Sequence, residues 1–109
     1  MSDGLEALGR LAATIEARRG ADPESSHTAK LLARGTLKCA QKFGEEAVEA
    51  VVAAAAEDRE ALVSEAADVI YHLMVMLASR DVSLEDVTAE LARREGVSGV
   101  DEKASRRTP

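Results

Sequence analysis

With 109 residues the chain has room for one domain and a modest core, because short chains bury only a limited share of their surface. Hydrophobic residues make up 46% of it but aromatics only 2%, which predicts a core of Ala, Leu and Val in closely packed helices, and the net charge of -6 argues against a nucleic-acid partner. Cys39 is the only cysteine, and the chain has neither a signal-peptide pattern at its start nor about 18 consecutive uncharged apolar residues, so a soluble, cytoplasmic protein with no membrane partner is expected.

The first helix is predicted over residues 4–18, with Asp3 as its N-cap, Glu6 completing a capping box and Gly20 just beyond its end. A loop containing Pro23 follows. Ser26 then opens a short helix over 27–34, which Gly35 terminates. Thr36 is expected to cap a third helix over 37–56. Along it Leu37, Ala40, Ala47, Val48, Val51, Val52 and Ala55 fall within an arc of roughly 140°, which predicts one core-facing stripe. Gly44 costs about 1 kcal/mol there relative to Ala, which suggests a close approach by another element.

Asp58 caps a fourth helix over 59–79, whose apolar residues, Leu62, Val63, Val69, Ile70 and the run 73–77, surround almost the whole circumference. Such a helix needs covering on several sides, and a homodimer with a shared four-helix-bundle core supplies that cover. Ser83 and Asp86 form a capping box for a fifth helix over 84–94, closed by Gly96. The expected fold is therefore all-α, a small bundle of about five helices. One domain spans 1–100, and 101–109 is a polar tail with its last four residues expected to be disordered for want of an apolar anchor.

Two acidic pairs share one spacing: Glu46 and Glu49 on the third helix, Glu65 and Asp68 on the fourth. Residues at i and i+3 lie about 60° apart on a helix, so each pair offers its oxygens to one side. The turn at Glu57 and Asp58 is nearly equidistant from both pairs, and two antiparallel helices would set them opposite each other. Four converging carboxylates raise one another's pKa unless a cation compensates. Oxygen ligands with no Cys or His at ligand spacing point to Mg²⁺ or Mn²⁺ rather than zinc.

Glu45 shares the polar sector and is a candidate to bind a second ion or to orient a water. Lys38 and Lys42 lie on the carboxylate face, and Lys30 and Arg34 make a second cationic pair at i,i+4, all candidates for phosphate oxygens. Each feature has a plainer explanation. Glu-Glu-x-x-Glu is more often surface decoration than a site, Lys38 and Lys42 can serve as ion-pair partners of the neighbouring glutamates, and His72 reads first as an interior histidine. Asp68 is harder to dismiss, because an unpaired carboxylate buried in its apolar run would cost several kcal/mol.

These residues also carry a resemblance. Thr28-Ala-Lys-Leu-Leu, Gly35-Thr-Leu-Lys-Cys-Ala-Gln-Lys-Phe-Gly-Glu-Glu-Ala-Val-Glu49 and Glu65-Ala-Ala-Asp-Val-Ile-Tyr-His-Leu-Met-Val-Met-Leu77 resemble the phosphoribosyl-ATP pyrophosphohydrolase family of histidine biosynthesis. That family sits within the all-α nucleotide pyrophosphohydrolases related to MazG and the dimeric dUTPases. Leu91-Ala-Arg-Arg and the tail from Gly96 to Arg106 extend the likeness to about four fifths of the chain.

The resemblance implies hydrolysis of the α,β phosphoanhydride of 1-(5-phosphoribosyl)-ATP to phosphoribosyl-AMP and pyrophosphate, with Mg²⁺ on Glu46, Glu49, Glu65 and Asp68. Glu45 would orient or deprotonate the water, and Lys38 and Lys42 would contact phosphate ahead of Lys30 and Arg34. His27, Cys39 and Phe43 depart from the family's usual Tyr, Ile and Val. The rival functions are a related pyrophosphohydrolase acting on dUTP, dCTP or a damaged nucleotide, and a helical dimerisation module without catalysis.

Overall fold

Helix caps and glycines divide the chain much as the sequence indicates. A computed structural model describes residues 2–96, with side chains from residue 4 onward. It contains α1 (Ser2–Arg18), α2 (His27–Ala33), α3 (Thr36–Ala56), α4 (Arg59–Ser79) and α5 (Leu84–Arg93), with no strand among the described residues. The expected domain end at residue 100 and the polar tail lie outside them.

Three caps act as expected. Ser26, Asp58 and Ser83 each accept a backbone N–H with the side chain, and Ser83 and Asp86 complete a reciprocal capping box. Two do not. Helix α1 already runs from Ser2, so Asp3 falls inside its first turn instead of capping it. Thr36 is the first residue of α3 rather than its cap. Gly35 is the cap, with φ 93°, a left-handed value open to glycine, and this lets α3 follow α2 with only Arg34 and Gly35 between them. The Thr36 hydroxyl is tied instead to the far end of α4, donating to the Ser79 carbonyl at 3.3 Å and accepting from Ser79 Oγ at 3.0 Å.

Helices α3 and α4 form a hairpin, the most extensive pairing in the fold. Thr36 at the start of α3 meets Ser79 at the end of α4, so the chains run antiparallel from the Glu57–Asp58 turn. Helices α1 and α2 close one side of the hairpin, and Ile15, Leu31, Cys39, Met74 and Val75 make the core between them. Cys39 is reduced and buried, with its thiol donating to the Leu31 carbonyl at 3.3 Å. Arg19, just past α1, donates to the Ala78 carbonyl and pairs with Asp81 at 3.4 Å, fastening α1 to the end of α4.

The apolar stripe expected to face the core does not. Leu37 is 89% exposed, Val51 67% and Val48 62%, whereas Cys39 and Ala53 on the opposite side of α3 are buried against the rest of the chain. On α4, Leu62, Val63 and Ile70 are likewise exposed, while His72, Met74 and Val75 are buried. Periodicity identifies an apolar side, but it does not say whether the same chain covers it. Gly44 lies on this open side of α3, and a Cβ there would meet nothing within 4 Å among the described residues. Helix α4 has the length and mean hydropathy, 1.5, of a helix able to cross a membrane, and it carries Glu65 and Asp68 along its length.

Candidate metal centre

The hairpin register brings glutamates from the two helices together. Oxygens of Glu46, Glu49 and Glu65 all lie within 4.8 Å of one another. Glu65 Oε1 is cut off from water and has no hydrogen-bond partner among the described residues. Its burial, followed by the charges of Glu49, Asp68 and Glu46, pushes the Glu65 carboxyl above its ordinary value.

Asp68 stands apart from that group and is exposed, so the expected burial of its carboxylate in the apolar run is not found. The run encircles α4, and Asp68 occupies its solvent side. It lies one turn from Glu65, and its charge still acts on that residue.

The donor set suits a hard divalent cation. Three glutamate oxygens within 4.8 Å of one another are close enough that modest side-chain movement would let them converge on one such ion. An orphaned buried oxygen among like charges is the arrangement a cation relieves. The residues present therefore fit Mg²⁺ or Mn²⁺.

The remaining candidates surround this cluster unequally. Glu45 is exposed; it accepts from Gln41 Nε2 at 3.0 Å and pairs with Lys42 Nζ at 3.4 Å, and those two donors hold its carboxyl below the ordinary value. Lys42 thus has the ion-pair role that the plainer explanation gave it, in a partly exposed pair of small energetic weight. Lys38 is half-buried and its charge also acts on Glu45. Lys30 and Arg34 are exposed on and just after α2, with Lys30 lining an open groove of about 770 Å³ beside His27.

A ring cluster that the sequence did not reveal adjoins the carboxylates. The Tyr71 ring meets His72 edge-on at 4.9 Å and lies near-parallel to His27 at 6.4 Å, and its hydroxyl is 2.5 Å from Thr28 Oγ1. His72 is only 8% exposed, with Nδ1 buried and without a partner among the described residues. Burial dominates in lowering its pKa, while Glu46 and Asp68 act the other way, so His72 links the rings to the acidic group. Its position four residues after Asp68 was the only sign in the sequence.

The family described as Phosphoribosyl-ATP pyrophosphohydrolase matches residues 8–95. The chain is 70% identical to a Rhodobacter capsulatus protein named phosphoribosyl-ATP pyrophosphatase, over 94% of this chain and 99% of that one. Proteins of the same name from Cereibacter sphaeroides and Dinoroseobacter shibae are 69% and 68% identical, over 94% of this chain and 99% and 100% of theirs. The chain belongs to the phosphoribosyl-ATP pyrophosphohydrolase family.

Proposed function

We propose that the protein hydrolyses the α,β phosphoanhydride of 1-(5-phosphoribosyl)-ATP, releasing phosphoribosyl-AMP and pyrophosphate in histidine biosynthesis, with Mg²⁺ or Mn²⁺ held by Glu46, Glu49, Glu65 and Asp68. One observation carries this reading beyond family membership: the oxygens of Glu46, Glu49 and Glu65 converge within 4.8 Å, one of them shielded from water without a partner. When bound, the ion supplies charge neutralisation for the polyphosphate and lowers the pKa of coordinated water.

The chain's own groups account for the rest. Lys38 and Lys42, on the same face of α3 as the acids, take phosphate oxygens through charge-assisted hydrogen bonds, and Lys30 and Arg34 on the α2 side are the secondary contacts. Glu45 is ionised at neutral pH, because its neighbours hold its carboxyl below the ordinary value. A carboxylate so depressed is a weak base, which suits it to orient the attacking water rather than to deprotonate it. Water oxygen bonds to phosphorus, the bridging P–O bond breaks, pyrophosphate departs with the bond's electrons, and the water's proton passes to bulk solvent.

The working unit is a cytoplasmic homodimer. Its support is the exposed apolar side of the hairpin, Leu37, Val48, Val51 and Val52 on α3 with Leu62, Val63 and Ile70 on α4, together with a reduced Cys39. Purified protein assayed on phosphoribosyl-ATP, dUTP and dCTP tests the activity. Fastest pyrophosphate release from phosphoribosyl-ATP supports it. Preference for dUTP or dCTP would transfer it to a related pyrophosphohydrolase, and no turnover with no Mg²⁺-dependent rise in Tm would leave a helical dimerisation module.

A further inference from the structure

The chain is poor in flat side chains, with one Tyr, one Phe, two His and no Trp. Three of these four rings, His27, Tyr71 and His72, nevertheless gather at one place, beside the acidic cluster. We propose that His27 and Tyr71 are the two faces between which the purine of the substrate is held. This rests on the nucleotide reading given above and adds the recognition of the base to it.

The two faces differ in rigidity. Tyr71 is fixed from two sides, through its hydroxyl contact with the buried Thr28 and through the edge-on contact with the buried His72. His27 is exposed at the first position of α2, directly after the α1–α2 loop. Their planes are 20° apart and their centroids 6.4 Å apart. Aromatic carbons in contact are separated by about 3.5 Å, so a ring, a purine and a second ring need roughly 7 Å. The gap between the pair is at most its 6.4 Å centroid separation, so a purine enters only as the exposed His27 ring moves outward from Tyr71.

Position favours the same occupant. His27 and Lys30 line the open groove at the α1–α2 junction, so a planar ligand reaches the His27 ring from solvent without crossing the core. On the other side His72, 4.9 Å from Tyr71, lies within the electrostatic reach of Glu46, Asp68 and Lys42. A base seated between the rings thus leaves its phosphates on the side of the acids and lysines. Phe43 makes no ring pair among the described residues and offers no comparable site.

The test is steady-state pyrophosphate release from phosphoribosyl-ATP, with inhibition by inorganic tripolyphosphate as a probe that has phosphates but no base. His27→Ala is expected to raise KM about tenfold, with kcat nearly unchanged and tripolyphosphate inhibition unaltered, and His27→Phe to restore KM by returning a ring face. The proposal is overturned by an unchanged KM in His27→Ala, by an equal weakening of tripolyphosphate, or by His27→Phe as impaired as His27→Ala. These results would leave the enzymatic reading intact. Wild-type protein that releases no pyrophosphate from phosphoribosyl-ATP would sink that reading, and this inference with it.

Discussion

Glu65 keeps one carboxylate oxygen away from water with no donor to meet it, while Glu49, Asp68 and Glu46 surround it with negative charge. A carboxyl whose pKa is raised by folding binds more protons in the native than in the unfolded state, so ionisation there works against the fold. Without metal, stability is expected to fall as pH rises above the ordinary carboxylate range. Glu65→Gln should flatten that dependence and raise the neutral-pH Tm of the metal-free protein, yet abolish its increase with Mg²⁺; calorimetry across pH, with and without the ion, checks both. Glu46→Gln is expected to slow pyrophosphate release on the order of 100-fold with helical content intact, as circular dichroism and a coupled assay would show. The glutamates were legible because i,i+3 spacing fixes which side chains share a helix face. The exposure of Asp68 was not, since a run of apolar letters does not say which side of the helix meets solvent. The ring cluster was hidden for a different reason: Thr28 and Tyr71 meet only through the packing of α2 on α4, which no local pattern encodes.

At the level of elements, boundaries were readable wherever a cap fixed them. Ser26, Asp58 and Ser83 each satisfy a backbone donor at a helix start, and the helices begin on the next residue. Thr36 misled because a hydroxyl able to cap a helix also serves a tertiary contact, here with Ser79, once Gly35 makes the turn. Helix α5 is the segment least engaged with the rest of the fold, so its cap matters locally. Ser83→Ala is expected to cost about 1 kcal/mol and speed amide exchange in α5 roughly fivefold, leaving α3 and α4 unchanged in the same hydrogen-exchange measurement. Exchange that quickens throughout the hairpin would show that α5 folds as part of the core.

For the molecule as a whole, the small core and the open apolar side of the hairpin belong together. A chain of this size with so many exposed valines and leucines has packed only one side of its central hairpin, and the proposed homodimer would cover the other. The sequence indicated both the helix count and the need for cover on α4, but it assigned the α3 stripe to the chain's own core, because periodicity reads alike for intra- and intermolecular contacts. Light scattering should give twice the 11.5 kDa chain mass for the wild type, and Val51→Asp should shift it to the single-chain value. A wild type that scatters as a single chain would remove the dimer. A cation held between α3 and α4 is predicted to be required for hydrolysis. The most direct measurement is pyrophosphate release from phosphoribosyl-ATP by chelator-treated protein, before and after Mg²⁺ is restored, with Glu46→Gln alongside. Release absent after chelation, regained with Mg²⁺ by the wild type and not by Glu46→Gln, is the predicted result; undiminished release in the presence of chelator, or in Glu46→Gln, would contradict it.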